Sequence, residues 1–148
     1  MIRRNNGFSL IELIVAIVLI GVAGGILATL VGTGGNQYKK ANDNFEAQSE
    51  ARIAMAYITT TLRQNDTSSG IVSAVGPLLI INKGKEQFII SFNGQSLVER
   101  NAKEPASNAK EIAKIENLNL DRNDNRIDIT IKYGNGKELK SNITLRSE

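Results

Sequence analysis

The 148-residue sequence has no cysteine, no histidine and no tryptophan. Without cysteine there is neither a disulfide framework nor a thiolate metal site, so a folded domain must hold by its core alone. Without histidine the commonest general base and metal ligand is missing. Ser9, Ser49 and Ser91 therefore have no imidazole to activate them. Gly32-Thr33-Gly34-Gly35 is glycine-rich but lacks the lysine and flanking strand of a phosphate loop. No catalytic constellation and no cofactor motif emerges, which argues for a non-enzymatic role. Charge is nearly balanced: 18 Lys and Arg face 15 Asp and Glu, a formal +3. So small an excess is a poor basis for sequence-independent nucleic-acid binding, which rests on many phosphate contacts.

The most informative absence is local. From Leu13 to Tyr38 there is no charged residue at all. A run of this length exceeds the roughly 20 helical residues that cross a bilayer core. In lipid the backbone must bond within its own segment, so residues 8 to about 31 are expected to be helical. Just before the run stands Gly7-Phe8-Ser9-Leu10-Ile11-Glu12, preceded by Arg3 and Arg4. The arginines hold the N-terminus on the cytoplasmic side by the positive-inside rule. A lone carboxylate at the edge of an apolar run is costly and calls for a partner. A secretory signal peptide does not explain these features, because no small-x-small cleavage site follows an apolar core of ordinary length. A plain single-pass anchor leaves Glu12 and the Gly-Phe junction without a reason.

The Gly-Phe-Ser-Leu-Ile-Glu segment and its apolar run resemble the class III signal of type IV pilins and type II secretion pseudopilins. The resemblance implies a leader of residues 1–7, cleaved between Gly7 and Phe8 by a prepilin peptidase, with N-methylation of Phe8. It implies that Glu12 serves filament assembly. Pairing the Glu12 carboxylate of one subunit with the Phe8 amine of its neighbour would cancel both charges in a low-dielectric core. The partners implied are other pilin subunits, the prepilin peptidase, an assembly platform protein, a motor ATPase and, before assembly, the membrane. Localisation follows: a cytoplasmic-membrane protein with its N-terminus inside, then a cell-surface filament. The Asn-, Lys- and Ile-rich composition, short leader and missing cysteines suggest a Gram-positive source. The segment Ala51-Arg52-Ile53-Ala54-Met55-Ala56-Tyr57-Ile58, continuing to Asn65, also resembles the corresponding helix of J- or W-type minor pilins, which favours a minor subunit. The alternatives are a major pilin and a pseudopilin of a type II secretion or competence machine.

The rest of the chain is read from its periodicity. Residues 8–36 form the membrane or filament-core helix, and 37–148 the head. Gly21 and Gly25 make a small-xxx-small pair suited to close helix contact. Gly32, Gly34 and Gly35 weaken a helix in water and mark either a bend or a flexible exit from the membrane. Tyr38, Ala41, Phe45, Ala51, Met55, Ile58 and Leu62 recur at spacings of three and four, with Gln48 as the polar interruption. That stripe predicts a helix to about residue 65 packed on a sheet. Strands are predicted at 71–75, 78–82, 87–92, 95–99, 113–120, 126–133 and 137–145, with a loop at 101–108 and a two-residue Asn93-Gly94 hairpin turn. The fold class is α+β: a long N-terminal helix on a mainly antiparallel sheet, as in type IV pilins.

Two further sites merit a test. Asp121, Asn123 and Asn125 match the first three ligand positions of an EF-hand calcium loop. Arg126 then replaces the required glycine and Lys132 the bidentate glutamate, so a polar turn explains them better and no metal is expected. Lys83, Lys85, Arg100 and Lys103 form a candidate basic patch for DNA around one hairpin, set against a reading as solvated surface charge. The sequons at Asn65 and Asn142 matter only in a host with the glycosylation machinery.

Overall fold

The computed structural model describes residues 9–67 and 69–146. Its first element, α1, runs unbroken from Leu10 to Gln64. The first proline is Pro77, so nothing in this stretch removes a helical donor. The helix also continues through Gly32, Gly34 and Gly35 without interruption. The chain divides into two compact units, residues 1–42 and 43–148, so α1 contributes to both.

In the second unit α1 lies on two antiparallel sheets. The first contains β1 (Ile71–Val75), β2 (Leu78–Lys83), β3 (Glu86–Phe92), β4 (Ser96–Asn101) and β5 (Lys110–Lys114), in that order. The second contains β6 (Asn117–Asn123), β7 (Arg126–Tyr133) and β8 (Lys137–Thr144). A bridge between Gly76 and Leu120 joins the sheets, each backbone N–H donating to the other's carbonyl at 2.8 and 2.7 Å. One core serves both: Ala51, Ala54, Met55, Ile58 and Leu62 of α1 meet Leu79, Ile81, Ile90, Leu97, Leu118, Leu120, Ile127, Ile129 and Ile131. The alternation Ile127, Ile129, Ile131 buries one face of β7, as its period of two requires. Ala51 and Ala54, both fully buried, are small enough to let the helix axis approach the sheet.

Three expectations are corrected. The strand predicted at 113–120 is two strands in different sheets. Ile115 N–H still donates to Gln95 O on the β4 side, at 3.3 Å, and the next residue, Glu116, donates to Lys132 O of β7 at 2.8 Å. The Glu116 carboxylate fixes this change of partner by accepting the Asn135 and Gly136 amides at 2.8 and 2.9 Å. The β3–β4 turn is centred on Gly94-Gln95. Asn93 N–H donates to Ser96 O, and only Gly94 has positive φ, at 100°, the arrangement that takes glycine first. Finally, the apolar stripe of α1 does not all face the core. Tyr38 is 78 % and Phe45 70 % exposed, and Ala41 is exposed too. Steps of three and four here average less than the 3.6 residues of a turn, so the stripe drifts around the helix. Phe45 ends up about 100° away from Leu62.

The helix stops at Asn65, whose N–H and side-chain Nδ2 both donate to Thr61 O, at 3.2 and 2.8 Å. Gly70 follows where no side chain fits: a Cβ there would lie 2.1 Å from Asn65 O. One polar network ties α1 to the first sheet. Glu99 on β4 forms an ion pair with Lys83 of β2 and a hydrogen bond with the Tyr57 hydroxyl of α1. The Lys83 ammonium lies 4.7 Å from the centre of the Phe88 ring, a cation–π contact. Burial, and then the Glu99 carboxylate, raise the Tyr57 phenol well above its ordinary pKa.

Candidate assembly helix

The first turn of α1 starts from Ser9. Its carbonyl accepts the amides of Glu12 at 3.0 Å and Leu13 at 3.3 Å. Ser9 therefore occupies the N-cap and Glu12 the third helical position. Ser-Leu-Ile-Glu is the Ser-x-x-Glu pattern of a capping box. That pattern was readable in the sequence, and it gives Glu12 a local role, in addition to any role between subunits: a carboxylate in the first turn favours the positive end of the helix. Gly7 and Phe8, the predicted cleavage and methylation positions, lie outside the described residues.

Beyond Glu12 the helix is apolar on all sides. From Leu10 to Val31 every large aliphatic side chain is between 51 and 77 % exposed, and none is buried within the chain. Covering each is worth about 1.5–3 kcal/mol, so the rod as a whole leaves tens of kcal/mol unrealised in water. An all-round apolar helix belongs in lipid or among other helices. Its one side-chain hydroxyl between Leu10 and Val31 is satisfied internally: Thr29 Oγ1 donates to the carbonyls of Gly25 and Ile26, at 2.9 and 2.8 Å. Gly21, Gly25, Ala28, Gly32 and Gly35 follow one another at steps of four and three, on one side of the helix. At each of those glycines a Cβ would meet nothing within 4 Å, so the smallness answers to no packing inside the chain.

The two secondary candidates fare differently. Asp121 and Asn123 lie in β6, paired with Asp128 and Arg126, and Asn125 sits in the tight turn to β7. The Asn125 carbonyl accepts Leu145 N–H at 2.6 Å. The three positions are strung along a hairpin and do not wrap a point in space as a calcium loop does. The basic residues are brought to one end of the first sheet, but with acids among them. Lys83 is held by Glu99, Arg100 donates to Glu104 O at 2.9 Å, and Glu86 accepts from Asn101 Nδ2 at 3.3 Å. Among the described residues no group of three or more Asp and Glu forms a metal cluster.

Residues 2–28 match the family model described as the prokaryotic N-terminal methylation motif. The chain carries that motif. It is typical of type IV pilins and pseudopilins, and it spans the capping turn, Glu12 and most of the exposed rod. The match supports a precursor of the pilin or pseudopilin type. The motif is that of chains processed by a prepilin peptidase and assembled with other pilins, and the apolar helix fits a membrane-anchored protein. No curated protein and no solved structure matches the chain.

Proposed function

We propose that this chain is a structural subunit of a type IV pilus or a related pseudopilus, without catalytic activity of its own. The observation that carries the reading is the continuity of the methylation motif with a rod exposed on every side. In this reading Arg3 and Arg4 keep the N-terminus inside, and the leader is removed between Gly7 and Phe8. Phe8 is then methylated, and the helix waits in the membrane. On assembly its aliphatic surface exchanges lipid for the helices of neighbouring subunits. Lipid and protein cover that surface about equally well, so the hydrophobic term is nearly neutral to the exchange. A specific term must then set the register. Glu12 supplies it: its carboxylate, costly in an apolar core, is compensated by the Phe8 amine of an adjoining subunit.

Within the family we favour a minor subunit incorporated among other pilins, supported by the resemblance of Ala51–Asn65 to minor-pilin helices. A cell-surface fibre of a Gram-positive cell agrees with the absence of cysteine. Mass spectrometry of the protein from its native cells tests the proposal. The expected N-terminus is methylated Phe8, and a chain retaining Met1 would overturn it.

A further inference from the structure

The end of the head that holds the C-terminus of α1 contains a second feature, independent of the rod. A cavity of about 590 Å3 is lined by Arg63, Asp66, Asn142, Ile143, Thr144 and Arg146. Its volume falls within the range of small-ligand sites. Three local structures build it. Arg63 stands in the last turn of α1. Asn142 and Thr144 of β8 alternate with the buried Ile143 and with the buried Leu145 just past the strand, and Arg146 continues that outward face. Asp66 Oδ2 accepts the Arg146 backbone N–H at 2.9 Å, which anchors Arg146 beside the helix end.

Among the described residues neither Arg63 nor Arg146 takes part in an ion pair. This contrasts with the basic patch expected from the sequence, where Lys83 is already committed to Glu99. We infer that the cavity between α1 and β8 binds a phosphodiester, with Arg63 and Arg146 as its guanidinium donors and Thr144 and Asn142 as neutral donors.

A planar carboxylate is satisfied by one guanidinium fork, whereas donors from two elements and two further polar groups suit a phosphate with oxygens in several directions. The charge balance is equally selective. Arg63 and Arg146 against Asp66 leave the lining at +1, which matches a phosphodiester monoanion better than the dianion of free phosphate. The helix end itself disfavours anions, an effect lessened because Asn65 Nδ2 covers the Thr61 carbonyl. The inference stands apart from the filament reading, since neither arginine lies in the rod.

The test uses the full chain in nanodiscs and follows arginine side-chain Nε–Hε resonances during titration with dimethyl phosphate. Arg63 and Arg146 should shift together, with Arg52 and Arg122 as internal controls that do not. R63Q and R146Q should each weaken the affinity roughly tenfold, and R63K should weaken it less than R63Q. Inorganic phosphate at pH 7 should bind more weakly than dimethyl phosphate. A duplex oligonucleotide moving the same two resonances at lower concentration identifies nucleic acid as the source of the group; vesicles of phosphatidylglycerol doing so identify a lipid headgroup. Equal shifts at all four arginines, or affinities unchanged in R63Q and R146Q, would overturn the assignment.

Discussion

The first and last thirds of α1 obey the same backbone geometry and opposite side-chain logic. Near the start, Ile17, Leu19 and Ile20 are more than half exposed, and the helix has no polar face to turn toward water. Near the end, Ile58 and Leu62 are fully buried while Arg63 and Gln64 face out. One helix thus contains a segment whose partners are supplied by its own chain and a segment whose partners must come from elsewhere. The lesson is that secondary structure alone does not separate fold from function here. What separates them is where each apolar residue finds its cover.

That contrast can be broken at either end. The largest effect on the folded head is expected from Ile58→Ala, which empties a fully buried site between helix and sheets. Its cost should be about 2–5 kcal/mol in denaturant unfolding of the full chain. Ile17→Ala, an equal truncation in the rod, should leave head unfolding unchanged within error. A comparable loss in both variants would erase the distinction. Ile20→Lys sharpens it from the other side. A lysine at mid-span should disfavour membrane insertion by roughly 2.5–3.5 kcal/mol, visible as a reduced membrane fraction, while the near-ultraviolet spectrum of the head stays native.

Smaller effects come from the polar network. Glu99→Gln removes the ion pair with Lys83 while leaving an acceptor for Tyr57, and should destabilise the head by about 1–2 kcal/mol, allowing for the partial exposure of Lys83. Because the folded state raises the Tyr57 pKa, its contribution is complete below pH 10, the ordinary tyrosine value. It should decline as the pH rises from there toward the folded-state pKa. An alkaline unfolding titration that is identical for wild type and Tyr57→Phe contradicts this. The least effect belongs to the exposed Glu138, whose pKa is lowered chiefly by the hydrogen bond from Lys140. Lys140→Ala should therefore raise the Glu138 carboxyl pKa measured by NMR toward the ordinary glutamate value.

Much of this was legible in the sequence because its signals were local. The absence of charge after Glu12, the Gly-Phe junction and the two-residue alternation of β7 need no knowledge of distant contacts. The α+β class and all but one of the strand divisions followed from such patterns. The failures share a cause in that each depended on a partner far along the chain. Between Ile115 and Glu116 nothing in the residues announces a change of sheet; the change is made by Gln95, Lys132 and the Asn135-Gly136 turn. Phe45 was assigned to the core because stepwise spacing conceals slow drift around a helix, and only the position of the sheets shows where the drift leaves contact. Arg63 and Arg146 were equally invisible, being 83 positions apart. The Ser9–Glu12 capping pattern, by contrast, was present in four consecutive residues. It is easily passed over when the glutamate already has a more specific reading.

The most direct test compares wild type with Glu12→Ala in sheared fibre and membrane fractions of the native cells, each analysed by immunoblot and N-terminal mass spectrometry. Methylated Phe8 is expected at the start of both proteins, with wild type in fibres and membranes and the variant in membranes alone. Fibres containing as much Glu12→Ala as wild type would contradict it.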